Sequence, residues 1–268
     1  MRNDIYKEAK ASFIDMVDIN EYIQLDRVST IYESLKTTIS KPLKMILLYG
    51  KPGTGKSMML NRLYQDLKKE QLVAIYQTPL VDELEFIKAL ARDLLSFRPF
   101  EEFTFTQFIE LLEQKDFEIS PVVLLDEAQL YSESLMEKIR LISDTRKVKF
   151  IITLHKTDQE DLIAKEHFQT RIWESIQLHN ASKQELLSYI QKKLLKHGMF
   201  DLANQFQKSQ IATIYKFTQG NYRDTNKLLY TFFEICSAYL EQAPHKISTG
   251  HIAKKHLEMA AIQARFAS

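Results

Sequence analysis

An apolar run, Met45-Ile46-Leu47-Leu48-Tyr49, turns directly into Gly50-Lys51-Pro52-Gly53-Thr54-Gly55-Lys56-Ser57, after which Met59, Leu60, Leu63 and Leu67 follow at helical spacing. Glycine, four free positions, glycine, lysine, serine is the P-loop pattern, and it stands here in the strand-to-helix setting that the pattern requires. The glycines let successive backbone N–H groups turn into one hollow, which suits a triphosphate chain. The helix opening near Lys56 adds the partial positive charge of its N-terminus. Lys56 brings a full charge to the outer phosphates, and the Ser57 hydroxyl is placed for Mg²⁺. Only 6 of 268 residues are glycine and three of them lie in this octapeptide, so an accidental glycine turn is a poor explanation. Gly50, Lys51, Pro52, Gly53, Thr54, Gly55, Lys56, Ser57 and Met58 are therefore the expected nucleotide-binding stretch, with ATP and Mg²⁺ as the implied ligands.

Composition narrows the rest. A chain of 268 residues with 45% hydrophobic content can build one large core, or one large and one small. Its net charge of +1 excludes a global basic field that would draw nucleic acid or an anionic membrane. The single cysteine, Cys236, excludes an internal disulfide and a cysteine-cluster metal site, and its helical apolar surroundings predict a buried thiol. Met1 to Glu8 has no signal-peptide core, and no window reaches the ~20 apolar residues of a membrane span. The expectation is a cytoplasmic protein with no direct membrane insertion.

Along the chain, Arg27 to Ile39 reads as a helix with Ile31, Leu35 and Ile39 on one side, while Ser12 to Asp18 is ambiguous between strand and helix. Apolar runs at Leu72–Gln77, Pro121–Asp126, Val148–Leu154 and Ile172–Leu178 read as four further strands. Between them fall helical patterns over Asp82–Phe97, Thr104–Leu112 and Ser134–Ile142, and a further helix capped by Thr157-x-x-Glu160. This alternation predicts an α/β fold: a five-stranded parallel sheet with helices on both faces. From Ser182 onward only helical periodicity remains, beginning with the capping box Ser182-x-x-Glu185. Residues 1–180 are expected to form the nucleotide-binding αβ domain, with 1–40 as its N-terminal extension, and residues 181–268 a small all-α lid.

Two further parts of a site are legible. Val122 to Leu125 ends in Asp126-Glu127. On the strand expected beside the P-loop strand, Asp126 would hold Mg²⁺ and Glu127 would orient the attacking water. A γ-phosphate in its transition state also needs polar or cationic company. Thr153 and His155 end the fourth strand, Arg171 precedes the fifth, and Arg223 opens a lid helix after Gly220-Asn221-Tyr222.

Taken together, these stretches resemble the AAA+ ATPases, and within them the ExeA-like group that serves secretion and mannose-sensitive haemagglutinin-type pilus biogenesis. The resemblance spans roughly residues 20–262 and rests on GKPGTGKS, VVLLDEAQLYSESLMEKIRLISD, FIITLHKTDQEDL, HFQTRIWESIQL and FTQGNYRDTNKLL. It implies that Lys56 and Ser57 bind phosphate and Mg²⁺, and that Asp126 and Glu127 are the metal and water-activating carboxylates. His155 falls where the group often has a glutamine sensor. Arg171 would be an arginine finger acting on a neighbouring subunit, and Arg223 the lid sensor, with Tyr222 in place of a usual proline. The implied activity is ATP hydrolysis by a homo-oligomer that drives or gates a secretion, pilus or DNA-uptake machine, with envelope-machine proteins as partners. An ATP-controlled DNA-binding adaptor is the alternative, for which Lys192, Lys193, Lys196 and His197 offer a basic helix face. A two-motor helicase fits poorly as an expectation, because about 90 lid residues are too few to build a second αβ motor domain.

Overall fold

The computed structural model describes residues 4–155, 170–248 and 250–267. The chain forms two compact units. One comprises Ser29–Lys51 and Gly55–Leu178; the other comprises Met1–Val28, Pro52–Thr54 and His179–Ser268.

The first unit is built on a parallel sheet of β1 (Met45–Gly50), β2 (Val73–Tyr76), β3 (Val122–Leu125), β4 (Lys149–His155) and β5 (Ile172–Leu178), in the spatial order β2-β3-β4-β1-β5. The unbroken apolar runs of β1 and β3 are buried at nearly every position, as strands covered on both faces must be. Met45, Leu47, Val123, Leu125, Phe150 and Ile152 share one core with α4 (Glu83–Leu95), α5 (Phe105–Gln114) and α6 (Glu133–Asp144). The alternate residues Ile46, Leu48, Leu124 and Ile151 are equally buried and point the opposite way, so the remaining helices cover the other face. These include α2 (Asp26–Ile39), whose Ser29–Ile39 part lies in this unit, and α3 (Lys56–Leu67). Asp82, Thr104 and Ser132 cap α4, α5 and α6 with their side chains, which fixes where the loops end.

One expectation is corrected here. The acidic pair does not sit on the strand beside the P-loop strand, because β4 lies between β1 and β3. Pairing order between parallel strands is set by crossover packing, to which local apolar patterning is blind. The helix expected after Thr157-x-x-Glu160 falls outside the described residues.

The second unit is helical: α7 (Lys183–Lys196), α8 (Phe200–Gln205), α9 (Lys208–Thr218), α10 (Tyr222–Gln242) and α11 (Lys254–Gln263). Both halves of the Ser182–Glu185 capping box are made. Leu186, Ile190, Leu194, Phe206, Ile214, Phe232 and Phe233 are among its core residues. Met1–Val28 group with this unit, so of the expected 1–40 extension only residues 29–40 lie with the sheet. α1 (Ile5–Ala11) is started by the Asp4 side chain, which accepts from Tyr6 N and Lys7 N. Beyond it Phe13 is buried and stacks on Phe233 at 5.7 Å. Farther along, Lys192 Nζ donates to Gln24 O at 2.8 Å, and Arg27 Nε donates to Glu185 Oε1 at 2.7 Å. Cys236 is buried as expected, and burial pushes its thiol up to about 12, which suits packing rather than chemistry. Among the described residues, no helix is long and apolar enough to cross a membrane.

Candidate functional site

The C-terminal edge of the sheet gathers Gly50, Lys56, Ser57, Asp126, Glu127 and His155 of the predicted site residues. Gly50 ends β1 in register with His155 of β4, and Leu125 of β3 is in register with Ile152. Asp126 and Glu127 therefore leave β3 at the same edge where Lys56 and Ser57 begin α3. Crevices outside the carboxyl ends of parallel strands are where such sheets bind ligands.

Gly55 takes φ +94° and a Cβ added there would meet nothing within 4 Å, so its requirement is conformational: the chain must turn left-handed to present N–H groups into the loop. Lys56 is only 6% exposed, and its Nζ donates to Gly50 O at 2.9 Å and Lys51 O at 3.2 Å. The ammonium is thus held inside the curl of the loop by the loop's own carbonyls. Pro52–Thr54 group with the helical unit. Within that unit Asn221 Nδ2 donates to Pro52 O at 2.7 Å and Tyr222 N donates to Gly53 O at 3.1 Å. A Cβ at Gly53, whose φ is +78°, would lie 2.2 Å from Asn221 Oδ1 and 2.8 Å from the Arg223 Cβ. Gly53→Ala is accordingly expected to destabilise the fold by about 1–3 kcal/mol, read by denaturant unfolding, and to weaken nucleotide binding with it.

The acidic pair is held by main chain and by Thr153. Asp126 is 4% exposed and its N donates to Tyr76 O at 3.0 Å. The Thr153 hydroxyl donates to Asp126 Oδ1, and Glu127 N donates to that same oxygen at 3.1 Å and to Thr153 Oγ1 at 3.0 Å. No hydrogen bond joins Asp126 Oδ2 to any described residue. Glu127 takes the left-handed conformation, φ 49°, uncommon for a residue with a side chain. It opens the short 3₁₀ turn Ala128–Leu130. His155 Nε2 lies 4.0 Å from Glu127 Oε1, within reach of an ion pair and beyond a hydrogen bond.

These donors fit Mg²⁺. Among the described residues there is no group of three or more His, Cys, Asp or Glu able to cage a metal. Mg²⁺ does not ask for one: it takes one or two protein oxygens and completes its shell with phosphate and water. The Ser57 hydroxyl and the Asp126 carboxylate are donors of that kind.

Arg171 precedes β5, whose Ile172 is in register with Met45 at the start of β1. It therefore stands at the opposite edge of the sheet from Gly50, about 20 Å away along six strand residues. There its Nε and Nη2 donate to Asp144 Oδ1 and Oδ2 at 3.1 and 3.0 Å. Arg223 lies in the helical unit, where its Nε is 3.1 Å from Asp15 Oδ2, with both side chains more than half exposed. A pair so open to solvent adds little stability.

Sequence reasoning missed Asn221 as a site residue. Its side-chain oxygen caps α10 by accepting from Asp224 N at 3.2 Å, while its nitrogen holds the loop. Its place directly after Gly220 marks it as an N-cap, but nothing local marks the second bond. The basic helix face is also partly used up within the unit: Lys192 and Lys196 donate to Gln24 O and Tyr22 O, His197 lies 3.1 Å from Glu21, and Lys193 is buried against Tyr189.

Residues 41–163 match the model of the AAA domain family. No curated protein matches the chain. Among solved structures, Cdc6p from Pyrobaculum aerophilum is similar with a TM-score of 0.67 at 15% identity, over 95% of this chain and 71% of that one. The Drosophila ORC bound to DNA is similar with a TM-score of 0.67 at 14% identity, over 98% of this chain and 66% of that one. The Aeropyrum pernix ORC2 protein in its ADPNP–ADP complexes follows with 0.61 at 13% identity, over 96% and 72%. At these identities the likeness is one of fold. That fold is the P-loop AAA+ architecture, a five-stranded parallel sheet flanked by helices with a helical C-terminal region. None of these findings reaches the ExeA-like subgroup.

Proposed function

We propose that the protein is a Mg²⁺-dependent ATPase whose working form is a homo-oligomer. The observation that carries this reading is the convergence of Lys56, Ser57, Asp126 and Glu127 on one edge of one parallel sheet. Lys56 would exchange its bonds to the loop carbonyls for the outer phosphates, gaining charge-assisted contacts in a largely buried setting. Ser57 and Asp126 Oδ2 would hold Mg²⁺, which would supply charge neutralisation to the phosphates. Glu127 would accept a proton-sharing bond from the attacking water and aim it at phosphorus. Thr153 has one hydroxyl proton and spends it on Asp126. The sensor role therefore falls to His155, beside Glu127. Arg171 stands at the sheet edge opposite its own loop, so the nucleotide it serves would be that of a neighbouring copy. Arg223 opens the helix whose first residues are bonded to Pro52 and Gly53, which supports a role in following the nucleotide state.

The task served by this turnover is read from the ExeA-like resemblance alone: assembly or gating of a secretion, pilus or DNA-uptake machine. The DNA-adaptor reading loses its sequence support, since the basic residues of α7 are turned onto the chain's own N-terminal segment. The reading is tested by ATP hydrolysis and Mg²⁺–ATP affinity of the purified protein. Lys56→Ala should weaken affinity about 10- to 100-fold, the worth of a charge-assisted contact, and chelating Mg²⁺ should stop turnover. A folded protein with no affinity for Mg²⁺–ATP would end the proposal.

A further inference from the structure

At the sheet edge opposite the P-loop, three cations from three separate elements converge on one carboxylate. Asp144 ends α6. Its Oδ1 lies 2.5 Å from Lys44 Nζ, just ahead of β1, and its Oδ2 lies 2.7 Å from Arg140 Nη1, one turn back on α6. Arg171, just ahead of β5, approaches both oxygens with its Nε and Nη2. Arg140 is itself held by Glu137, 2.8 and 2.9 Å from its Nε. All four members of the cluster are partly buried. Arg171 is the foremost reason that the Asp144 carboxyl is held at about 2, well below an ordinary aspartate.

The geometry constrains Arg171 more than an ordinary ion pair would. An arginine carries four rotatable side-chain bonds and, left alone, sweeps a wide volume. A two-pronged carboxylate contact fixes both the position and the plane of the guanidinium. That contact is worth nothing for aiming if the carboxylate follows the arginine. Here it cannot follow, because Lys44 and Arg140 hold Asp144 from the β1 and α6 sides. Thr170 Oγ1 accepts from Nη1 at 2.8 Å and closes the arrangement.

We propose that Asp144, clamped by Lys44 and Arg140, is the positioning residue that presents Arg171 to the nucleotide of a second copy of this chain; the inference rests on the reading of Arg171 as a finger acting between copies. Asp144 touches no reacting atom. It acts through Arg171, and therefore only in the copy that donates the finger.

That asymmetry separates positioning from a merely structural role. Glu127→Gln subunits keep a finger but lack their own water-activating carboxylate. Arg171→Ala subunits keep the carboxylate but lack the finger. Mixed, they should recover turnover that neither has alone. Adding Asp144→Asn to the Glu127→Gln partner should remove that recovery about a hundredfold, the cost of a misplacement of roughly 1 Å. Adding it instead to the Arg171→Ala partner should leave recovery intact, which also shows that the substitution folds and assembles. Equal loss in both arrangements, no loss in either, or a gain in turnover would overturn the role of Asp144. Absence of recovery in the parent mixture would overturn the finger reading itself, and this inference with it.

Discussion

Glu127→Gln is expected to leave Mg²⁺–ATP binding in place while turnover falls about 10²- to 10⁴-fold. The exchange keeps the size of the side chain and removes its charge and basicity. The bonds that organise the acidic pair at Glu127 come from its main-chain N–H, which serves Asp126 and Thr153, so they survive. The carboxylate itself is 44% exposed and approaches His155 only to 4.0 Å. Little folding energy depends on it. Asp126 contrasts with this, because its buried Oδ1 takes two hydrogen bonds and its loss would disturb Thr153 and the turn together. Single-turnover hydrolysis and nucleotide affinity measured on the same preparation separate the two effects. Undiminished turnover in the variant would remove Glu127 from its role.

What could be read from the residues alone follows a physical divide between local and non-local signals. The P-loop was legible because its chemistry is contiguous: three glycines, a lysine and a serine within eight positions, between an unbroken apolar run and a helical stripe. The capping boxes at Thr104 and Ser182 are local for the same reason. The order of the sheet was not legible, because β4 and β3 both carry buried apolar runs and nothing in either says which pairs with β1. The N-terminal segment misled in a similar way. Ser12 to Asp18 has no clean period because what holds it is tertiary, as with Phe13 against Phe233 across 220 positions of sequence. Asn221 and Asp144 show the same limit in the site. Each looks like an ordinary helix-end polar residue until distant chain brings Pro52 to one and Lys44 and Arg171 to the other.

Arg171→Ala is expected to lower turnover of the assembled protein about 10³-fold, the lower end of what a finger supplies, while affinity for Mg²⁺–ATP stays within a few-fold. The strand register carries the argument. Arg171 lies beside the start of β5 and Lys56 just beyond the end of β1, so one sheet length separates this cation from its own nucleotide loop. No rotamer of an arginine spans that distance. A cation so placed can reach a γ-phosphate only if another copy brings one to it. The fold should tolerate the change, because Asp144 keeps Lys44 and Arg140 and no buried carboxylate is left unpaired. The measurement is turnover per subunit as a function of protein concentration. The parent protein should gain specific activity as copies associate, and the variant should stay low at every concentration. Full activity of Arg171→Ala at high dilution would instead mean that each copy hydrolyses alone, and the polar group that meets the transition state would have to be sought on the loop's own edge, where His155 stands in register with Gly50.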